Sequence, residues 1–296
     1  MIAVAPVRSF VAALALAASG LLSAQIAMPP NPGDARPDQF SEIDAVPFAT
    51  AGGHTLVTDV YMPKGQGPGP FPGVVFVHGG GWGGGSRLDN RRPATYLAAH
   101  GYVVLSFEYR LAPLGHYPDQ MADCRAAIQW FLRHGAEYKL DPARIALAGI
   151  SAGGHLVAML GLDHPDPAVK AVVSISGVDN LDDPAANNLL GSIARLIGHP
   201  CSEDPEPCRQ ASPVNNVHAG APPFLVMHGD NDIVALSSDT RLFVERLTAV
   251  HDHVETFWAK GGGHPFWHEE PWILPAEETM VRFLDGYLKG SRLAYP

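Results

Sequence analysis

Hydrophobic and polar positions follow two alternating patterns along most of the chain. Short runs that are apolar at nearly every position, such as "PGVVFVHGG" and "RIALAGI", are followed by stretches with apolar residues at helical spacing, such as "PDQMADCRAAIQWFLRHG". Further predicted strands are "TLVTDVYMP", "YVVLSFEYR", "VKAVVSIS", "PPFLVMHG" and "VETFWAK". Continuously apolar strands belong inside a sheet that is covered on both faces. The pattern therefore predicts a mainly parallel central sheet with helices on both faces.

This alternation extends over residues 45–290 without a Ser/Gly linker or a charge run, which favours a single domain. Residues 178–221 are irregular, and we expect them to form a small insertion at the carboxyl edge of the sheet. Loops at this edge commonly carry binding and catalytic residues. The insertion is therefore predicted to lie over a functional site.

The N-terminal segment has a different character. Arg8 precedes an apolar stretch from Phe10 to Leu22 that ends in small residues, which is typical of a secretory signal peptide covering residues 1–24. The alternative is a membrane anchor, but about a dozen apolar residues are few where about 20 are needed. Residues 25–44 are rich in proline near their start and are predicted to be a flexible lead-in.

Composition and charge narrow the choice of partners. The 296 residues carry a formal net charge of −10, and loss of residues 1–24 would remove one arginine and no acid, giving −11. We expect no binding to nucleic acid and no stable membrane association through bulk charge. The sequence contains no GxxxxGK[ST] loop, no HExxH motif and no dinucleotide-binding GxGxxG context, so we predict no cofactor.

Two of the three cysteines lie close together in "HPCSEDPEPCRQ". In an exported protein, Cys201 and Cys208 could close a small surface loop as a disulfide. Metal binding is the alternative, but these two thiols lack CxxC spacing and a matching set of histidines, so no metal is expected. Cys124 lies in an amphipathic stretch and is predicted to be a buried thiol.

The stretch "GISAGG" places Ser151 among small residues between a predicted strand and a predicted helix. A sharp strand-to-helix turn projects such a serine out of the sheet, and the crowding of that turn requires small neighbours. The following helix directs its first amide groups toward the serine. The alternative is an ordinary glycine-rich turn, but the strand and helix on either side favour a nucleophile.

Two later strand ends carry the remaining groups of a possible triad. "HGDND" offers Asp230 and Asp232 as competing acids, although either could simply form the turn and cap the next helix. "GGGHPFW" offers His264, which taken alone could be a solvated loop histidine. Together with Ser151 these residues give the order Ser, Asp, His. That order predicts a nucleophile, an orienting acid and a general base.

An earlier strand ends in "HGGGW", a loop suited to bind a developing negative charge. Backbone N–H groups of glycines can approach an oxyanion without interference from side chains. We predict that Gly80, Gly81 and Ala152, the residue after the nucleophile, donate to the oxyanion. His78 is expected to brace the loop by hydrogen bonding rather than to transfer protons.

The motifs "HGGGW", "YRLAP", "GISAGG", "HGDNDIV" and "GGGHPFW", in this order, resemble those of α/β-hydrolase-fold esterases of the bifunctional feruloyl and acetyl-xylan esterase type, close to hormone-sensitive-lipase-like esterases. The resemblance covers roughly residues 45–290 and selects Asp232 as the triad acid. It implies an α/β-hydrolase fold, a structural turn at "YRLAP" and an ester substrate that is a small molecule or linked to polysaccharide, with acetyl, feruloyl or other short-chain acyl groups. "GGGHPFWHEEPW" and the cysteine-bearing loop depart from the family pattern.

Alternative functions are a serine peptidase of the prolyl-oligopeptidase type and a non-catalytic ligand-binding protein on the same fold. A broken triad would be expected of the latter, whereas this sequence retains all three residue types.

Aromatic residues next to the catalytic motifs are candidates for contact with substrate. Trp82 and Phe266 are each within two residues of such a motif, and their rings suit a sugar or a feruloyl group. Trp267 and Trp272 are equally consistent with packing beneath the loops. Asp179 follows another strand and could either touch substrate or cap a turn.

Overall fold

The computed structural model describes residues 34–163, 165–187, 191–250 and 253–290. Eight strands form one sheet in the order β1-β2-β4-β3-β5-β6-β7-β8. Their bounds are β1 Phe40–Ala51, β2 His54–Pro63, β3 Phe71–Val77, β4 Val103–Phe107, β5 Leu140–Ile150, β6 Val169–Ile175, β7 Phe224–Gly229 and β8 Val254–Ala259. The bounds of the α-helices are α1 Arg91–Ala99, α2 Asp119–His134, α3 Ala152–Leu162, α4 Pro184–Asn187, α5 Ser192–Ile197, α6 Glu206–Gln210, α7 Ser237–Val250 and α8 Ile273–Leu288.

The sheet is parallel from β4 through β8, and β1 and β2 form an antiparallel edge. Strand β3 lies between β4 and β5, with Val75 opposite both Leu105 and Leu147. Its neighbours cover both of its edges and helices cover both of its faces, so nearly all of its residues are buried. The predicted α/β-hydrolase fold, with a mainly parallel sheet between helical layers, is confirmed.

Successive residues of each strand contribute to separate cores on the two faces of the sheet. Val75 and Val77 pack in one apolar cluster with residues of α2, α3 and α7. Val74 and Phe76 pack in the other with residues of α1 and α8. This division follows from the alternation of side chains along a strand. Each apolar run therefore supplies both cores at once.

The structure differs from the sequence-based expectations at the first strand. β1 begins at Phe40, inside the segment expected to be a flexible lead-in, and pairs with β2 from Phe40 opposite Pro63. Its residues are mostly half-buried or exposed, so it lacks the apolar pattern that identified the other strands. Backbone hydrogen bonding to β2 therefore defines this strand. The predicted signal peptide at residues 1–24 lies outside the described residues.

The irregular segment contains the short helices α4, α5 and α6 and a disulfide between Cys201 and Cys208, whose Cα atoms are 5.9 Å apart. The bond confirms the pairing considered from the sequence. Cys124 is buried and free, as expected. Among the described residues, no helix combines the length and apolarity needed to cross a bilayer.

Candidate active site

Ser151 occupies a tight turn between β5 and α3. It has φ 55° and ψ −117°, a backbone conformation that costs energy for a residue with a side chain. Its N–H donates to the carbonyl of Ile175, 2.8 Å away, which fixes the turn to the neighbouring strand. A Cβ on Gly153 would lie 2.1 Å from the carbonyl oxygen of Val77, so only glycine permits α3 to approach the sheet this closely. The small residues around Ser151 are therefore a steric requirement of the turn.

His264 connects Ser151 with Asp232. The hydroxyl of Ser151 donates to Nε2 of His264 at 2.9 Å, and Nδ1 of His264 donates to Oδ2 of Asp232 at 2.7 Å. The side chain of His264 is 17 % exposed, whereas that of Asp232 is fully buried. Ser176 donates from its hydroxyl to the backbone carbonyl of His264 at 3.1 Å. Sequence reasoning missed Ser176, because nothing near it in the chain indicates the loop that it holds.

Four donors surround the carboxylate of Asp232. Oδ1 accepts from the backbone N–H groups of Val234 and Ala235 at 2.8 and 3.0 Å. Oδ2 accepts from His264 and also lies 3.2 Å from Nε2 of His228. Burial acts to raise the pKa of Asp232, but hydrogen bonds from the two histidines outweigh burial and hold that pKa well below its usual value. Asp232 is therefore ionised and fixed in one orientation.

The competing acid, Asp230, has a different position. Its Oδ1 accepts from the backbone N–H of Gly261, and its own N–H donates to the carbonyl of Ala259 at 3.2 Å. These contacts tie the end of β7 to the loop after β8. Asp230 thus supports the loop that carries His264, whereas Asp232 contacts the imidazole itself.

The glycine loop after β3 lies beside Ser151. Gly80, Gly81 and Ala152 all line the same cavity as Ser151, and Ala152 begins α3. Gly80 has φ 110°, and a Cβ there would lie 2.2 Å from the carbonyl oxygen of Gly84. A side chain at position 80 would therefore disrupt the loop that presents these backbone groups.

Ring stacking and hydrogen bonds fix this glycine loop. His78 stacks on Tyr109 with ring centroids 4.3 Å apart, and its Nδ1 donates to the carbonyl of Gly79 at 2.7 Å. Burial lowers the pKa of His78, so its imidazole is neutral near pH 7. The backbone N–H of Ala112 donates to the carbonyl of Trp82 at 2.8 Å, which joins "YRLAP" to the loop. Both contacts agree with the bracing roles expected from the sequence.

His155 holds Trp82 from the other side. The indole N–H of Trp82 donates to Nδ1 of His155 at 3.2 Å, and Nε2 of His155 donates to the carbonyl of Ala211 at 2.8 Å. Burial lowers the pKa of His155 to about 4, which leaves the ring neutral and able to accept from the indole. This bridge, which the sequence did not indicate, connects the glycine loop, α3 and the insertion.

The cavity above Ser151 has a volume of about 430 Å³. Besides Ser151 and His264, its polar lining residues are Asp89, Asn90, Ser192, Arg195 and His268. Trp82 contributes to the wall, but its side chain is only 1 % exposed and its N–H is occupied by His155. Among the described residues, no cluster of three or more His, Cys, Asp or Glu side chains is placed to hold a metal ion.

The structure corrects one predicted substrate contact. Phe266 is fully buried in the apolar cluster beneath the site, where it stacks on Phe257, so its ring does not face the cavity. Trp267 lines the cavity instead, with its ring centroid 5.4 Å from that of His264. A 3₁₀ helix at Phe266–His268 directs these adjacent side chains differently. Trp272 packs against the same buried cluster.

A smaller, mostly apolar cavity of about 20 Å³ adjoins the main cavity, and Trp267 lines it. It shares Ile150, Trp267 and His268 with the main cavity. Its apolar lining also includes Ile175, Met227, Ile273, Ala276 and Met280. Because Ile150, Trp267 and His268 line both cavities, these side chains separate them. The indole Nε1 is buried and has no hydrogen-bond partner among the described residues.

Comparison with known proteins identifies a matching family and several similar proteins. Residues 58–247 match the BD-FAE family profile. Esterase LipC of Mycobacterium tuberculosis is 37 % identical over 226 residues, covering 70 % of this chain and 56 % of LipC. Carboxylesterase NlhH of the same species is 32 % identical over 204 residues, covering 62 % of this chain and 63 % of NlhH. The chain spans about half the length of the first curated relatives that it matches.

Solved structures extend the comparison to the fold. A thermophilic esterase of Thermogutta terrifontis with propionate bound superposes with a TM-score of 0.68 at 25 % identity, over 84 % of this chain and 94 % of that chain. Esterase B of Lactobacillus Rhamnosis gives a TM-score of 0.74 at 23 % identity, over 88 % of this chain and 90 % of that chain. The second likeness is one of fold alone.

Proposed function

This chain belongs to the BD-FAE family, and we propose that it is a carboxylic ester hydrolase that works through an acyl-enzyme on Ser151. The observation that carries the proposal is the chain of contacts from the Ser151 hydroxyl to Nε2 of His264 and from Nδ1 of His264 to the ionised Asp232. These contacts open onto a cavity that is large enough for a small ester. The curated esterases among its relatives support the same reaction class.

Acylation begins when Nε2 of His264 removes the proton of the Ser151 hydroxyl as its oxygen attacks the ester carbonyl. The carbonyl oxygen becomes negative and accepts from backbone N–H groups of the glycine loop and of Ala152. Loss of one such donor typically reduces the rate by about 10²- to 10³-fold. His264 then gives the proton to the departing alcohol, leaving the acyl group on Ser151.

Deacylation repeats these steps with water as the nucleophile. His264 removes a proton from water and returns it to the oxygen of Ser151, which releases the acid. Throughout both halves of the reaction, Asp232 keeps the proton of His264 on Nδ1 and stabilises the imidazolium. The four donors around Asp232 hold it in the orientation that this role requires.

For the substrate we propose acetyl or feruloyl esters of carbohydrates, or other short-chain esters. The family resemblance supports the carbohydrate esters, and the Trp267 indole beside the catalytic imidazole offers an aromatic surface for a sugar or feruloyl ring. The Thermogutta terrifontis structures with propionate and butyrate bound support a short acyl group. The Cys201–Cys208 disulfide supports export, because disulfides persist in oxidising compartments.

The first test compares wild type with Ser151→Ala on acetylated xylan, methyl ferulate and p-nitrophenyl acetate. Wild type is expected to cleave at least one polymeric or feruloyl substrate, and Ser151→Ala should lose at least about 10³-fold in kcat/KM, as expected for removal of a nucleophile. Full activity in Ser151→Ala would refute the mechanism. An aminoacyl-proline amide serves as the peptidase control, and faster turnover of this amide than of every ester would refute ester hydrolysis.

A further inference from the structure

A second histidine, His228, contacts the carboxylate of Asp232 from inside the protein. His228 belongs to β7 and is fully buried. Its Nε2 lies 3.2 Å from Oδ2 of Asp232 and 2.9 Å from the carbonyl oxygen of Ala235. The carbonyl oxygen can only accept, and Oδ2 can only accept because Asp232 is ionised. Nε2 must therefore carry a proton. Whether Nδ1 is also protonated depends on its own hydrogen-bond partner.

That partner is the hydroxyl of Thr240, on helix α7. Nδ1 of His228 lies 3.1 Å from Oγ1 of Thr240, which in turn lies 2.7 Å from Oδ2 of Asp179 in the loop after β6. Thr240 is fully buried and Asp179 is 1 % exposed. A continuous hydrogen-bonded chain thus runs from Asp179 through Thr240 and His228 to Asp232. Three separate segments of the sequence contribute to it.

The number of protons in this chain follows from its donors and acceptors. In one form, a protonated Asp179 donates to Thr240, and Thr240 donates to Nδ1 of a neutral His228. In the other, an ionised Asp179 accepts from Thr240, and Nδ1 of an imidazolium donates to Thr240. The two forms contain the same protons, with two of them moved along the chain. Removal of one proton leaves the hydroxyl with one hydrogen for two buried acceptors, which is costly.

The surroundings of Asp179 favour the form in which it is protonated. Its Oδ1 is buried without a hydrogen-bond partner among the described residues, and a buried carboxylate with so little compensation is unfavourable. Burial raises the pKa of Asp179 to about 6, although the bond from Thr240 opposes this rise. Asp179 can therefore keep the proton in mildly acidic solution and donate it in a hydrogen bond to Thr240.

We propose that Asp179, Thr240 and His228 form a positioning chain that keeps the Nε2 proton of His228 directed at Asp232. The proposal rests on the proposed ester hydrolysis, in which Asp232 must present Oδ2 to His264 while the imidazolium forms. His228 is a positioning residue, because it touches Asp232 and not the reacting atoms. The chain fixes the imidazole tautomer that donates to the carboxylate, so Oδ2 stays between the two histidines.

The test compares Thr240→Val, which removes the hydroxyl at nearly constant volume, with Thr240→Ser, which keeps it. At about pH 5, below the raised pKa of Asp179, Thr240→Val is expected to lose about 10-fold in kcat on p-nitrophenyl acetate with KM changed less than about 2-fold. Thr240→Ser should stay within about 2-fold of wild type. Asp179→Asn should also retain kcat, because its amide donates to Thr240 as the protonated acid does.

A spectroscopic measurement tests the chain without relying on activity. In protein labelled with ¹⁵N-histidine, the His228 signals are assigned from their loss in His228→Gln. Wild type and Thr240→Ser are expected to show a protonated Nε2 and a hydrogen-bonded Nδ1, whereas Thr240→Val should lose the signature of the bonded Nδ1. Failure of wild type to cleave any ester would refute the proposed function but leave this spectrum unchanged.

Two outcomes would overturn the positioning chain. The first is that Thr240→Val has the same kcat and the same His228 spectrum as Thr240→Ser. The hydroxyl of Thr240 would then have no role. The second is an Asp179→Asn variant that loses as much kcat as Thr240→Val, since Asp179 would then not act as a proton donor.

Discussion

Replacement of Asp232 by asparagine tests the charge and the hydrogen-bond geometry of the site together. In the wild type, Oδ1 accepts from two backbone N–H groups and Oδ2 accepts from two histidines. An asparagine has one acceptor oxygen and one NH₂ donor. Whichever way the amide is turned, its NH₂ meets two donors where the carboxylate presented an acceptor.

The backbone donors decide the orientation of the amide. The N–H groups of Val234 and Ala235 cannot reverse, so the amide oxygen is expected to take the Oδ1 position and the NH₂ to face His264. His264 must then accept at Nδ1, which moves its proton to Nε2 and makes it unable to take the proton of Ser151. Such a change of tautomer typically reduces kcat by about 10⁴-fold. We expect a loss of this size in Asp232→Asn, with KM nearly unchanged.

The assay measures kcat and KM on p-nitrophenyl acetate for wild type, Asp232→Asn and Asp230→Asn, with circular dichroism to verify folding. Asp230→Asn is the matched control, because its amide oxygen can still accept from Gly261 and the residue does not touch His264. It should stay within a few-fold of wild type. If Asp232→Asn retained more than about a tenth of kcat, or if Asp230→Asn lost as much, the assigned role of Asp232 would be wrong.

Three further predictions concern specificity and stability. Trp267→Ala should join the two cavities. It should then raise kcat/KM for a p-nitrophenyl ester whose acyl chain is two methylenes longer than acetate, relative to the acetate, by about 10-fold, at about 0.8 kcal/mol per buried CH₂. An unchanged chain-length profile would show that Trp267 does not separate the cavities. Burial, then the neighbouring Asp183, raises the pKa of Asp239 to about 7, so the folded protein keeps a proton that the unfolded chain releases above about pH 4, and stability falls as the pH rises from about 4 to about 7. Asp239→Asn should accordingly raise Tm by about 2–4 °C at about pH 8 and leave it nearly unchanged at about pH 4, as measured by calorimetry. Replacing Cys201 and Cys208 together by serine should lower the free energy of unfolding by about 2.5 kcal/mol from loop entropy, and a denaturant titration equal to that of wild type would argue against the bond.

Local sequence patterns were sufficient wherever one segment carried the whole signal. The apolar runs predicted the parallel strands because each buried strand must be apolar on both faces. The glycines around Ser151 indicated the sharp strand-to-helix turn because the close approach of backbone to backbone excludes larger residues. Strand β1 was missed because its exposed residues lack such a pattern and its position depends on pairing with β2.

The sequence by itself determined the order of the buried strands and long helices along the chain and the types of residue at the strand ends, since both are consequences of local backbone geometry and burial. Only the tertiary structure decided that Trp267 and not Phe266 faces the cavity, because neighbouring side chains in a 3₁₀ helix point in different directions. It also brought Asp179, Thr240 and His228 into one chain behind Asp232. Those contacts join segments that are distant in sequence, so they depend on how helix α7 and the strand ends pack together.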